Sequence, residues 1–178
     1  MLKFSQWLQI GVLSAGMWAT ADVKADGDPD ACKAMQKADV ETAFAPRKFD
    51  AGSPGPVIKG SAKLASVSSC TYSAAGATVR DMVSVTLMVR RAPTDATGTT
   101  PAQARQGAAQ LKTTPFDVSD LGDGAYWINI GSAATPSIQL NVFRGKREWL
   151  IFSSFGGKMD SNAALANLTK VAKMTLAR

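Results

Sequence analysis

A chain of 178 residues has room for one domain with a sizeable core but not for two ordinary ones, and its 46% hydrophobic and 19% charged residues exclude a wholly disordered polymer. Histidine is absent, which removes the commonest general acid–base, the usual partner of a Ser or Cys nucleophile and the commonest metal ligand. The net charge of +6, from 20 Lys and Arg against 14 Asp and Glu, is ordinarily a matter of solubility, with an anionic surface or an envelope protein as the alternative it allows for a partner; no block of five like charges points to nucleic acid.

The N-terminus reads as an export signal: Lys3 supplies a positive start, Trp7 to Met17 is mostly apolar, and Ala19-Thr20-Ala21 offers the small-x-small pattern of a cleavage site. Cleavage is expected after Ala21, giving a signal peptide over residues 1–21, with Ala25 as the alternative site. The apolar run is shorter than the roughly 20 residues that span a bilayer, so no stable membrane insertion is expected after cleavage and the mature chain is expected to be periplasmic or secreted. Residues 22–29 then form a polar, flexible lead-in, and 30–178 a single domain. Asp26, Asp28 and Asp30 alternate as in a calcium loop, but Ala31 and Lys37 stand where an EF-hand requires Gly and Glu.

Asp30 caps a helix that carries Cys32, and Asp39 is expected to cap a second short helix that ends at Pro46. Asp50 to Gly60 is rich in Gly and Pro and reads as a mobile loop suited to binding. Lys63 to Ser73 is a strand holding Cys70; in an oxidising compartment an even pair of cysteines predicts one disulfide, Cys32–Cys70. Met82 to Arg90 alternates cleanly, with Val83, Val85, Leu87 and Val89 on one face. Thr100 and Pro101 open an alanine-rich helix to Lys112, whose apolar stripe is Ala104, Ala108 and Leu111.

A short Phe116-Asp117-Val118 strand, a Gly122-Asp123-Gly124 turn and a strand from Ala125 to Ile130 follow. Ser137 to Arg144 and Arg147 to Phe155 form a hairpin around a two-residue Gly145-Lys146 turn, and Asp160 or Ser161 caps a final helix to about Leu176. The order of elements predicts an α+β domain: a single twisted, mainly antiparallel sheet with helices packed on one face.

Three segments resemble a broad group of small exported bacterial proteins of unknown function with a PsbP-like α+β fold. They are the Cys-bearing helix from Cys32 to Phe44, the Ser69-Cys70-Thr71-Tyr72 strand, and the Leu-Gly-Asp-x-Ala-Tyr motif from Leu121 to Tyr126. The resemblance covers most of residues 30–178 and implies that fold and an exported compartment. It carries no catalytic residue and no cofactor to transfer. Many members are lipoproteins, whereas no cysteine ends the signal segment of this chain.

No Ser or Thr stands three residues before a Lys, so a Ser-x-x-Lys nucleophile is absent. Asp117, Asp120 and Asp123 recur every three residues and are the candidate metal ligands, with turn formation as their ordinary role. Trp127 and Phe143 fall out of phase with the main apolar sets of their strands. With Arg144 and Arg147 they make a candidate binding patch. The expected function is that of a soluble, exported, non-catalytic binding or accessory protein of the bacterial cell envelope acting through such a patch. The alternatives are a dedicated inhibitor or immunity-type partner and, third, a carboxylate-only hydrolase.

Overall fold

A computed structural model describes residues 27–132 and 135–178 of the chain; the expected signal peptide lies outside the described residues. Its sheet follows from alternation. Val83, Val85, Leu87 and Val89 are buried in strand β3 (Val83–Arg91), while the residues between them are half-buried or exposed. Strand β2 (Ser66–Ala74) buries Ser68, Cys70, Tyr72 and Ala74 by the same period. Strands β1 (Ser53–Pro54), β4 (Phe116–Val118), β5 (Gly124–Asn129), β6 (Ser137–Arg144) and β7 (Glu148–Gly156) complete a seven-stranded sheet in the order β1-β2-β3-β7-β6-β5-β4. Every pairing is antiparallel, so the fold is α+β. Strand β7 inserts between β6 and β3 and joins the two halves of the chain.

Helices α1 (Ala31–Ala34), α2 (Lys37–Ala43) and α4 (Ser161–Leu176) cover one face of the sheet and share its main core. Helix α3 (Pro101–Gln110) lies on the other face, where Ala104 and Ala108 pack over Tyr126, Ile128 and Phe143. One-face packing therefore holds for three helices and not for the fourth. The reason is the apolar character of β5 and β6 on both faces, which leaves an aromatic surface that only a thin alanine stripe can cover closely. Leu111 plays no part in that stripe; it is 75% exposed, because the helix stops at Gln110 and Thr113 turns back onto the Ala108 carbonyl.

Local boundaries differ from the sequence expectation where side chains compete for the backbone. The break between α1 and α2 falls at Met35-Gln36, since Gln36 is the N-cap and Asp39 the third helical residue of a capping box, its carboxylate accepting from the Gln36 amide. The Asp50–Gly60 segment is not a detached loop: Asp50 and Gly55 donate backbone hydrogen bonds to Ser73 and Ser69, and Ile58 bridges Val67. Gly52 permits this approach, because a Cβ there would lie 2.9 Å from the Cys70 sulfur. The described part of the lead-in is likewise tied down. Pro29 is buried, the Gly27 carbonyl accepts from Arg91, and Asp28 accepts from the Gly60 amide.

Three successive inward positions of β2 hold α1. The Ser68 hydroxyl accepts from the Ala31 amide at 3.1 Å, Cys70 is disulfide-bonded to Cys32, and the Tyr72 hydroxyl donates to the Met35 carbonyl at 2.7 Å. At the far end of the chain, Arg178 donates to the Asp39 carboxylate and to the Ala34 carbonyl, which ties the end of α4 to the same helix pair.

The disulfide closes a loop with a sequence separation of 38, for which chain entropy predicts a stabilisation of roughly 3–4 kcal/mol. Replacing Cys32 and Cys70 together by Ser is expected to lower the unfolding free energy by about that amount, read from urea denaturation, with a higher m-value because the unfolded chain without the crosslink exposes more surface.

Candidate functional site

The last cross-strand row on the helix-covered face is charged. Arg91 on β3 stands opposite Glu148 on β7, which stands opposite Arg144 on β6, two positions beyond the apolar row of Val89, Leu150 and Val142. Alternation places all of these side chains on the core side of the sheet, but at an end that α1 and α4 reach only partly. The Glu148 side chain is 11% exposed. One carboxylate oxygen accepts from Arg91 Nε at 2.8 Å and from Arg91 Nη2, and the other accepts from Arg144 Nε at 2.7 Å and is ion-paired with Arg144 Nη2 at 2.6 Å. Burial alone would raise the Glu148 pKa, but the hydrogen bonds and positive charges of Arg91 and Arg144 outweigh it and hold the carboxyl below its ordinary value.

Two adjacent cavities share this pair. The outer one, of about 400 Å³, is walled by Gly27, Arg91, Arg147 and Glu148. The inner one, of about 120 Å³, also meets Arg91 and Glu148, and adds Arg144 and Thr175 over apolar wall formed by Val89 and Leu150. Arg147 is oriented by its Nε, which donates to the Ala92 carbonyl at 2.9 Å.

The proposed patch of Trp127, Phe143, Arg144 and Arg147 does not form as one surface. Register places Trp127 opposite Leu140, three residues from Phe143, so the two aromatic side chains leave opposite faces of the sheet. Trp127 is half-buried on the helix side and stacks on Phe116 at 4.9 Å between ring centroids. Phe143 is 2% exposed on the α3 side, in a ladder between Tyr126 and Trp149, with Arg105 over the Tyr126 ring. Arg144 lines the inner cavity and Arg147 the outer one. The β6–β7 connection has three residues, Gly145, Lys146 and Arg147, rather than two, and this extra residue aligns Arg144 with Glu148.

The three aspartates do not converge either, and among the described residues no three His, Cys, Asp or Glu side chains are placed to hold a metal ion. Asp117 is bound to Arg105 across the sheet edge. Asp120 takes a left-handed backbone conformation, with φ of 58°, as a turn residue. Asp123 donates its amide to the Phe143 carbonyl and accepts the Gly145 amide with its carboxylate, joining the turn before β5 to the β6–β7 loop. Gly122 makes this approach possible: its φ is 61°, and a Cβ would meet the Phe143 carbonyl oxygen at 2.3 Å.

No family model and no curated protein matches the chain in sequence. Among solved structures, the fold is similar to the extracellular domain of PknH from Mycobacterium tuberculosis, with a TM-score of 0.51 at 10% identity, covering 85% of this chain and 100% of that one. At that identity the likeness is one of fold.

Because the folded pKa of Glu148 lies below its ordinary 4.5, the stabilisation it confers is fully present above about pH 4.5 and is lost as pH falls through the lower folded value. Glu148→Gln is expected to cost about 1–3 kcal/mol near neutral pH, with the gap from wild type narrowing in acid; urea unfolding at a series of pH values checks both. Asp123→Ala removes a charge-assisted bond to the loop and is expected to cost about 1 kcal/mol, read as a fall in thermal midpoint, while Asp120→Ala is expected to leave the Gly145 amide protected in hydrogen exchange.

Proposed function

We propose that the chain is an exported, non-catalytic binding or accessory module of the bacterial cell envelope that works through the cavity at the β6–β7 end of its sheet. The observation that carries this reading is the placing of Arg91, Arg147 and Glu148 around an open cavity of about 400 Å³, with Arg144 on the adjoining one of about 120 Å³. The Cys32–Cys70 disulfide and the signal-like start of the sequence support the compartment. So do the resemblance to exported proteins with a PsbP-like fold and the extracellular setting of the PknH domain of similar fold. Among the described residues, no helix is long and apolar enough to cross a membrane.

A second reading, a dedicated inhibitor or immunity-type protein partner, is favoured by one different feature. Phe116 is 50% exposed on the short edge strand β4 and stacks on Trp127, an aromatic pair suited to anchor another chain.

Capture from an envelope extract on the immobilised mature chain, followed by mass spectrometry of the eluate, tests both. The first reading predicts a small molecule retained by wild type and lost in an Arg144→Gln/Arg147→Gln variant. The second predicts one stoichiometric protein, lost with Phe116→Ser and kept by the arginine variant. Identical eluates from wild type and both variants would remove both readings.

A further inference from the structure

The hairpin that leads into β2 carries an apolar tip. Ile58 and Val67 exchange backbone hydrogen bonds at 2.8 and 2.9 Å, and the Ser61 amide donates to the Leu64 carbonyl at 3.0 Å, so one register runs on to a turn at Ala62-Lys63. The Ser61 hydroxyl accepts the Lys63 and Leu64 amides, and the Asp28 carboxylate accepts the Gly60 amide, which holds the arm in shape. Pairing of β2 with β3 begins only at Ser66, opposite Arg91, so the tip extends past that end of the sheet. Val57, Ile58 and Leu64 are 57%, 55% and 64% exposed. Three of the nine exposed large hydrophobic residues among the described residues thus fall within residues 57–64. Lone exposed apolar side chains are ordinary, but a cluster on a braced arm marks a contact surface.

Charge names the partner. Lys59 and Lys63 stand between these apolar residues, and no Asp or Glu occurs in residues 51–80. Neither lysine enters an ion pair among the described residues. The β6–β7 loop, with Lys146 exposed, lies at the same end of the sheet, since Arg91 is paired with Glu148. A bilayer interface takes apolar side chains at the acyl boundary and cations among anionic head groups, and it requires no groove matched to the arm. We propose that this hairpin tip docks the exported chain on an anionic phospholipid surface, with Val57, Ile58 and Leu64 immersed at the interface and Lys59 and Lys63 among the head groups. The proposal goes beyond the cavity reading and shares only the exported compartment with it. Contact of this kind needs no spanning helix.

The test is co-sedimentation of the mature chain with phosphatidylglycerol vesicles, with phosphatidylcholine vesicles as the control. Binding is expected to the anionic vesicles only, and it should weaken as salt rises. Lys59→Gln and Lys63→Gln are each expected to weaken it about fivefold, and Ile58→Ser/Leu64→Ser about tenfold or more. The thermal midpoint should stay unchanged in all three variants, because these side chains are exposed. Leu111→Ser/Lys112→Gln, which removes an exposed apolar and basic pair from the end of α3, is expected to bind as wild type. In a Leu64→Trp variant, the anionic vesicles should shift the added emission to shorter wavelength. Absence of vesicle binding, equal binding to both lipids, or equal weakening by the α3 variant overturns the proposal. If the arm variants instead lose a protein captured from envelope extract while vesicles are not bound, the arm is a protein interface and the lipid proposal falls. Either failure leaves the cavity reading standing, since capture of a small molecule there is tested by the arginine variant without vesicles.

Discussion

The attachment of α1 to β2 is the constraint on which the rest of the molecule depends. Helix α1 has only four residues, far too few to be stable alone. It exists because Ser68, Cys70 and Tyr72, at consecutive inward positions of β2, present an acceptor, a sulfur and a donor to Ala31, Cys32 and Met35. The strand period of two and the helix rise are thus matched across one contact. From that fixed point α2 continues over the sheet, and Arg178 draws the end of α4 onto the same pair of helices. The apolar residues of β2, β3, β6 and β7 then have a lid, and the main core is complete.

The same attachment sets one wall of the cavity. Gly27, Pro29 and Asp30 lead directly into α1, and they border the space opposite Arg91 and Glu148. The sheet contributes the other wall through its last inward row, where hydrophobic side chains give way to Arg91, Glu148 and Arg144. A single carboxylate there would be costly to bury; two guanidinium groups that satisfy both of its oxygens make it tolerable. The sheet is therefore dry through its middle and charged at one end, and the charge is held rigid by its own partners.

How far the sequence alone reaches depends on the range of the interaction. The disulfide, the Val83–Val89 strand, the Thr100-Pro101 helix start and the Asp160 cap rest on local chemistry or on a forced pairing, and each is legible without a structure. Trp127 and Phe143 show where that reach ends. Both break the pattern of their strands, but whether they meet depends on register between β5 and β6, and it places them on opposite faces. Arg144 and Arg147 were visible as a basic cluster at the hairpin. Their partner Arg91 was not, because its alignment with Glu148 comes from the pairing of β3 with β7, strands that local patterning does not connect. For the aspartates the turn chemistry is legible and the partners are not: Asp120 and Asp123 are turn residues, but the pairing of Asp117 with Arg105 and of Asp123 with the Gly145 amide depends on contacts distant in sequence.

The central claim is that β2 holds α1, and through it the cavity wall, as one unit. Amide hydrogen exchange on the oxidised and the reduced chain tests it most directly. The account predicts that the amides of Ala31, Ala34 and Met35 exchange in the oxidised protein at rates close to those of the inner β2 amides. On reduction they should lose most of that protection before β3, β6 and β7 do. Rapid exchange of α1 in the oxidised protein, or protection unchanged by reduction, would contradict it.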